Sequence, residues 1–404
     1  MTHPLFPDGL SAEQLVAWYR RGRDRTLKVF AIPNHDAYYS RPIALRNPIV
    51  FYEGHLPAFA INTLVKRILG QPGVDDKLEI LFARGIDPED EAAAGGSSAW
   101  PSRDEVRAYA AASDERIERS LREAALQPEA AEGIFTILEH EPMHQETLLY
   151  MFHNMPHEQK SQGDWIVPLI TTPALTPEMV EIPRGEVILG AERGVFGWDN
   201  EFARHAIDVD AFAIDRCNVT NREYLEYMRI TGAAAPHFWT RLDGEWYWRG
   251  MFGLAPLPLS WPVYATHDEA AAFTEWRGQR LPSEAEYHRA AFGEASSHDI
   301  RGHFDFASLD PVPAGSSGSE SPYGVLDLVG NGWEWTSTLF APFHGFTPMH
   351  SYPEYSVDFF DGKHYVLKGA SPATARELVR PSFRNWFRPN YPYLYATFRC
   401  VRPR

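Results

Sequence analysis

Cysteine is nearly absent: the 404-residue chain has two, Cys217 and Cys400. That excludes a disulfide framework and any cysteine-built zinc or iron–sulfur centre, and it fits a reducing compartment such as the cytoplasm. Basic charge is short as well, with 38 lysines and arginines against 54 aspartates and glutamates, a formal charge of −16. Such a surface repels phosphate backbones and anionic lipid, so neither nucleic acid nor membrane is expected as a partner. Apolar runs never approach the ~18 residues of a membrane span, and the first residues carry no basic stretch leading into an apolar one, so no leader is expected either. Internal repeats are lacking, and low complexity is confined to a short Ala-Gly-Ser run.

Rings are what the chain has in quantity: 12 Trp, 18 Tyr and 24 Phe, enough to line pockets and pack long loops. At ~150 residues per domain the length implies two or three domains. Two periodicities divide it. Residues 1–160 carry apolar side chains three and four apart in Ala12–Val29, Ala58–Leu69, Arg103–Ala125 and Ala130–Met155, which predicts a four-helix bundle. Gly85–Pro101, rich in Gly, Pro and acid, is expected to be a long exposed connection. Residues 161–179, punctuated by Pro168, Pro173 and Pro177, read as a linker. Residues 180–404 are short strand-like runs such as Glu186–Glu192 and Phe212–Thr220 between loops dense in Gly, Pro, Asp and Trp. Helices are expected there at Asp268–Gly278 and Ser283–Ala291, the latter opened by a Ser283/Glu286 capping box.

His140 and His144 lie four apart in the last predicted helix of the bundle, which puts both imidazoles on one face, a turn apart. A divalent ion can bridge such a pair; the plainer alternative is two histidines bonded to carboxylates. His140-Glu141-Pro142-Met143-His144 also matches the H-E-x-x-H string of zinc peptidases, in which Glu141 would be the general base. Two features oppose that reading. Pro142 removes a helix hydrogen bond, at roughly 3 kcal/mol in a helix interior, and predicts a kink. His153 and His157 stand at no suitable spacing for a third ligand, and His153 is expected to face solvent. His55, at the start of the second helix, can instead face the pair across an antiparallel bundle. Three neutral imidazoles with open positions suit iron(II), copper or zinc.

Four ordered stretches resemble the signature elements of formylglycine-generating-enzyme-like domains. They are Arg280–Tyr287, Gly324–Thr336 with Gly330-Asn331-Gly332-Trp333-Glu334-Trp335 at its centre, Lys368-Gly369-Ala370-Ser371, and Thr397-Phe398-Arg399. The resemblance implies a C-type-lectin-like α+β scaffold. Joined to a DinB-like four-helix bundle with H-x-x-x-H, it makes a multidomain α and α+β chain similar to the sulfoxide synthases of ergothioneine biosynthesis. The strings His144–Met151 and Arg384–Cys400 are closest to members that take free cysteine, or to the selenoneine synthases.

What this implies is an oxidoreductase with His55, His140 and His144 as iron(II) ligands and O2 as co-substrate. It would join a thiol or selenol donor to imidazole C2 of N-α-trimethylhistidine (hercynine), with Asn385 and Trp386 contacting that substrate. Aromatic faces hold a quaternary ammonium well, and Tyr391, Tyr393 and Tyr395 are further candidates for them. Phe387 stands where members using γ-glutamylcysteine carry an acidic residue, and Met143 where they carry glutamine, so cysteine or a selenosugar is the expected donor. No tyrosine lies between Tyr323 and Tyr352, where their catalytic tyrosine would fall, which leaves the proton donor unassigned. Arg84 and Arg103, flanking the Gly85–Pro101 connection, are candidates to pair a donor carboxylate. Cys217 and Cys400 are expected to be buried structural thiols. Two other readings compete: the zinc peptidase, and a non-catalytic lectin-like binding module that would keep its ligand without the histidines.

Overall fold

The computed structural model describes residues 10–83, 100–167, 176–293 and 300–403. Its contacts form two compact units, one of residues 1–163 with 193–196 and 348–355, the other of residues 164–192, 197–347 and 356–404. No helix among the described residues is long and apolar enough to cross a membrane.

The first unit is helical. α1 (Ala12–Val29) starts at a Ser11/Gln14 capping box; α2 (Ile49–Ala60) continues directly into a π-helical stretch, Ile61–Ile68. α3 (Asp76–Leu81) is short, α4 (Arg103–Ala124) opens with a Ser102/Glu105 box, and α5 is Ala131–His153. Leu15, Leu64, Ile117, Leu121, Ile134 and Leu138 from these helices form its apolar core. α2 starts at Ile49, not Ala58, so His55 lies inside the helix rather than at its start. Every residue from Ile49 to Ala60 is buried, and a helix without a polar face leaves no amphipathic period to read. His153 also departs from expectation, being 4% exposed. The chain after α5 pairs with the segment after α1, Asn34 N–H to the Gln159 carbonyl and Ser161 N–H to the Ile32 carbonyl, both at 2.8 Å, and Lys160 Nζ donates to the His153 carbonyl at 3.3 Å. α5 runs through Pro142 as one continuous helix.

The second unit is built of short elements: β1 (Met179–Ile182), β2 (Gly185–Leu189), β3 (His205–Val209), β4 (Phe212–Asp215), α6 (Asn221–Thr231), β5 (Trp239–Leu242), β6 (Glu245–Arg249), β7 (Leu254–Pro256), α7 (His267–Trp276), α8 (Glu284–Phe292), β8 (Gly332–Leu339), β9 (Tyr365–Ala370), β10 (Asn385–Phe387), β11 (Ala396–Thr397) and β12 (Val401–Pro403). The sheets run β1-β4-β12, β2-β3, β5-β6-β7 and β10-β9-β8-β11, with β11 parallel to β8 and the other pairs antiparallel. Tyr287 and Ala290 of α8 pack with Ile182, Val187, Phe212, Ile214 and Val401 in its core. The expected Ser283/Glu286 box caps α8.

The four motifs meet inside this unit, where they serve as scaffold. Asn331 takes a left-handed backbone (φ 67°), and its side chain binds both the N–H and the carbonyl of Val312 at 2.8 and 2.9 Å. Glu334 and Arg399, both fully buried, pair at 2.6 Å, and the Lys368 ammonium donates to the Phe383 carbonyl at 2.6 Å. Cys400 is buried, but Cys217 is half-buried rather than fully so, because it follows the end of β4 at the rim of a cavity.

Candidate metal centre

His55 comes from α2, His140 and His144 from adjacent turns of α5. One ring nitrogen of each lies within 4.8 Å of the others. The Nε2 atoms of His140 and His144 are 3.1 Å apart. His55 Nδ1 is 2.9 Å from the Phe82 carbonyl. Donating its proton there fixes the tautomer and leaves Nε2 as a lone pair. Burial pushes the His55 pKa down to about 4, against the opposing pull of the Phe82 carbonyl. Burial, then the neighbouring imidazoles, hold His140 well below the usual range; for His144 the causes are burial, His55 and Arg46. The trio is therefore neutral at pH 7, the state in which imidazole ligates.

These residues fit a transition metal. With metal–nitrogen bonds of about 2.1 Å, neighbouring ligand atoms sit about 3.0–3.5 Å apart. The His140–His144 separation already has that value, and a His55 ring nitrogen lies within 4.8 Å of both. His144 Nδ1 is buried without a hydrogen-bond partner among the described residues, an unmet ring nitrogen beside a cluster of facing imidazoles that suits a bound ion better than an empty polar pocket. An all-imidazole set without a carboxylate suits iron, copper or zinc over magnesium or calcium.

Rings wall the trio. Phe59 stacks on His140 at 3.5 Å between centroids, Phe51 on His55 at 5.0 Å, and Tyr52 lies 5.8 Å from His144. The segment 348–355, remote in sequence, joins the same wall. Tyr352 lies 5.1 Å from Phe59 and 6.2 Å from His140, and the Tyr355 hydroxyl is 3.3 Å from the Met143 sulfur. Reading the sequence missed this segment. Its Tyr-x-x-Tyr spacing is unremarkable, and only a long-range contact brings it to the histidines.

Other candidates fall differently. Glu141 turns away to α1, accepting from Arg23 Nη1 at 3.0 Å and Thr26 Oγ1 at 2.5 Å, so it faces a guanidinium and not an attacking water. Arg103 is tied inside the helical unit, to Glu53 at 3.5 Å, to the Phe30 carbonyl at 2.9 Å and over the Tyr38 ring at 4.7 Å. Arg84 and most of Gly85–Pro101 lie outside the described residues.

In the second unit Asn385, Trp386 and Phe387 form β10, paired with Leu367, Val366 and Tyr365 of β9. Strand alternation sends Trp386 to one face and its neighbours to the other. Trp386 stacks on Phe340 at 4.3 Å with Phe359 at 5.5 Å, whereas Phe387 stacks on Tyr391 at 5.3 Å, with Tyr393 beyond it. All three β10 side chains are half-buried, and Asn385 Oδ1 accepts from the Trp386 N–H at 2.9 Å. Tyr395 is no ligand face: it is 1% exposed, packed with Phe238 and Tyr264 in the core.

A helical unit with a cluster of three histidines, followed in sequence by a loop-rich α+β unit, defines a two-part class of chain. Residues 19–159 match the DinB superfamily and residues 169–404 the sulfatase-modifying factor enzyme 1-like domain. "Ergothioneine biosynthesis protein 1" of Schizosaccharomyces pombe is 31% identical over 91% of this chain and 53% of its own length. "Hercynine oxygenase" of Mycolicibacterium smegmatis is 32% identical over 66% of this chain and 70% of its own. Among solved structures, PvdO from Pseudomonas aeruginosa covers 56% of this chain and 95% of its own at 22% identity, with a TM-score of 0.41. The chain belongs to the ergothioneine-biosynthesis family that joins a DinB domain to a sulfatase-modifying-factor-like one. It spans about half the length of the fission-yeast protein.

Proposed function

We propose that the chain is a non-haem iron(II) oxidoreductase using O2 to join a sulfur or selenium donor to imidazole C2 of hercynine. The observation that carries this reading is the trio of buried His55 and His140 with half-buried His144, whose facing nitrogens lie inside 4.8 Å. The names of the relatives, an ergothioneine biosynthesis protein and a hercynine oxygenase, support the substrate. Iron bound by the trio would supply a redox centre with open positions for O2 and the donor. For a thiol R–SH, the C2–H of hercynine and O2, the products are a carbon-bonded sulfoxide and water, the two released hydrogens leaving with the second oxygen atom.

The chain's own residues have separable roles in this reading. Phe51, Tyr52 and Phe59 exclude bulk water around the ligands, and the phenols of Tyr352 and Tyr355 offer the O–H groups that a proton-consuming reduction of O2 requires. Met143, one residue from His144, presents a soft thioether toward the donor. Asn385 and Trp386 are assigned to hercynine. Phe387 provides no carboxylate for a γ-glutamyl amine, and an unpaired buried ammonium costs several kcal/mol, which favours cysteine or a selenosugar. Arg103 is already engaged by Glu53, which weakens its case as partner of a donor carboxylate beside Arg84. The division into a bundle at 1–160, a linker at 161–179 and a lectin-like domain at 180–404 belongs to the same reading.

Fe(II)-loaded protein, purified anaerobically, should take up O2 only when hercynine and a donor are both present. His55→Ala, His140→Ala and His144→Ala should each lose iron and turnover while keeping their circular dichroism. Zinc with peptide hydrolysis would favour the peptidase, and unchanged hercynine binding in all three variants with no O2 uptake in any form would favour the binding module. Comparing kcat/KM for cysteine, a 1-seleno-sugar and γ-glutamylcysteine tests the donor; a preference for γ-glutamylcysteine would overturn the reading of Phe387.

A further inference from the structure

Glu132, Thr136, His140 and His144 recur every four residues along α5, so they form one stripe on that helix. Two of the four are the proposed ligands. The other two hold Ser351, which is 1% exposed. Its N–H donates to Glu132 Oε1 at 2.7 Å, its hydroxyl shares a hydrogen bond with Thr136 Oγ1 at 2.7 Å, and its carbonyl accepts from Arg67 Nη1 at 3.0 Å. One residue thus has its three polar groups met by two helical stretches of the same unit. Sliding the segment by one position would strand the buried Thr136 hydroxyl and break the other two bonds. The chain that follows carries Tyr352, beside Phe59 and His140, and Tyr355, at the Met143 sulfur.

We infer that Ser351 is a positioning residue: it locks segment 348–355 in one register on the ligand stripe of α5, so that Tyr352 closes the His140 side of the trio and Tyr355 meets Met143 beside His144. The inference rests on the metal centre proposed above and not on the identity of its substrates. Ser351 itself touches no reacting atom.

The test uses full-length protein with 3-fluorotyrosine at position 352 and Co(II) as the metal. In the wild-type background Co(II) should broaden and shift the fluorine resonance of residue 352. A Glu132→Ala/Thr136→Val variant, lacking two of the three ties, should show that paramagnetic effect reduced at least threefold, with Co(II) affinity held within threefold. With Fe(II) in place of Co(II), its kcat/KM with hercynine and donor should fall at least tenfold, chiefly through kcat, and the single variant Thr136→Ser, which keeps the hydroxyl, should behave as wild type. If the double variant does not fold, Ser351→Ala is read by the same signal and should give two resonances in place of one. A fluorine response equal to wild type in the folded variant overturns the inference, as does a wild-type resonance that Co(II) leaves unchanged. Failure of the functional reading looks different: the fluorine response is intact, but O2 uptake does not depend on hercynine.

Discussion

At the scale of single residues, the two sides of the histidine trio differ in how they are held. His140 and His144 are set by helix spacing, which is why they were legible in the sequence. His55 depends on a distant carbonyl, that of Phe82, and on Gly54 before it. A Cβ on Gly54 would fall inside the buried Phe82 ring. Gly54→Ala should therefore lower stability by about 1–3 kcal/mol and weaken Co(II) binding, read by urea melts and metal titration. Unchanged affinity would mean that Phe82 does not orient His55. His237, in the other unit, makes a separate prediction. Burial, then Arg249, depresses its pKa from 6.5 to about 4, with Tyr393 edge-on at 5.0 Å. Between those two values the unfolded chain binds the proton and the folded protein does not, so this residue's contribution to stability is lost as pH falls from 6.5 toward 4. His237→Gln should flatten the dependence of unfolding free energy on pH in that window, and an identical slope in wild type and variant would contradict the assignment.

At the scale of elements, α5 shows how an H-E-x-x-H string can be put to another use. Arg23 of α1 bridges Glu141 of α5 at 3.0 Å and Asp114 of α4 at 2.9 Å, and Tyr19 donates to Asp114 at 2.6 Å. Three helices are thereby tied at the level of Pro142, where α5 lacks a backbone hydrogen bond. Glu141→Ala should cost about 3–5 kcal/mol in chemical denaturation because it breaks a buried pair, while Glu141→Gln, which keeps the contact with Thr26, should cost clearly less. Equal losses would show that the charge alone, and not the contact with Thr26, makes the tie. α1 and α4 were legible because each has an exposed face against which apolar spacing stands out, and α5, which has no exposed residue, because its polar residues still break the apolar run. α2 was not, being buried on all sides, and reading it from Ala58 misplaced His55 within its helix. In the second unit the capping box at Ser283 marked α8, whereas β10 and β11, two or three residues long, are set by partners and leave too few positions for a period.

At the scale of the whole molecule, the units do not follow the order of the chain: 193–196 and 348–355 belong with the helices. Phe196 stacks on Phe135 at 5.3 Å, and Tyr352 packs against the helical core. No local pattern announces such insertions, because their signal is complementarity to a surface far away in the sequence. A fragment ending at Gly163 would uncover Phe135, Phe59 and the Thr136 hydroxyl. It should melt below the helical unit of the full chain and bind Co(II) more weakly; equal melting and equal affinity would mean that the two insertions add nothing. The sulfur inventory has a consequence of its own. Burial pushes the Cys217 thiol up to about 11, and burial also raises the Cys400 thiol well above its usual range. Neither offers the thiolate that exchange with disulfides or attack on peroxides demands. Under the proposed reaction, with a small thiol and O2 in one solution, the chain would so avoid becoming its own substrate, and its working life should be the same with cystine in the buffer or a reductant in its place.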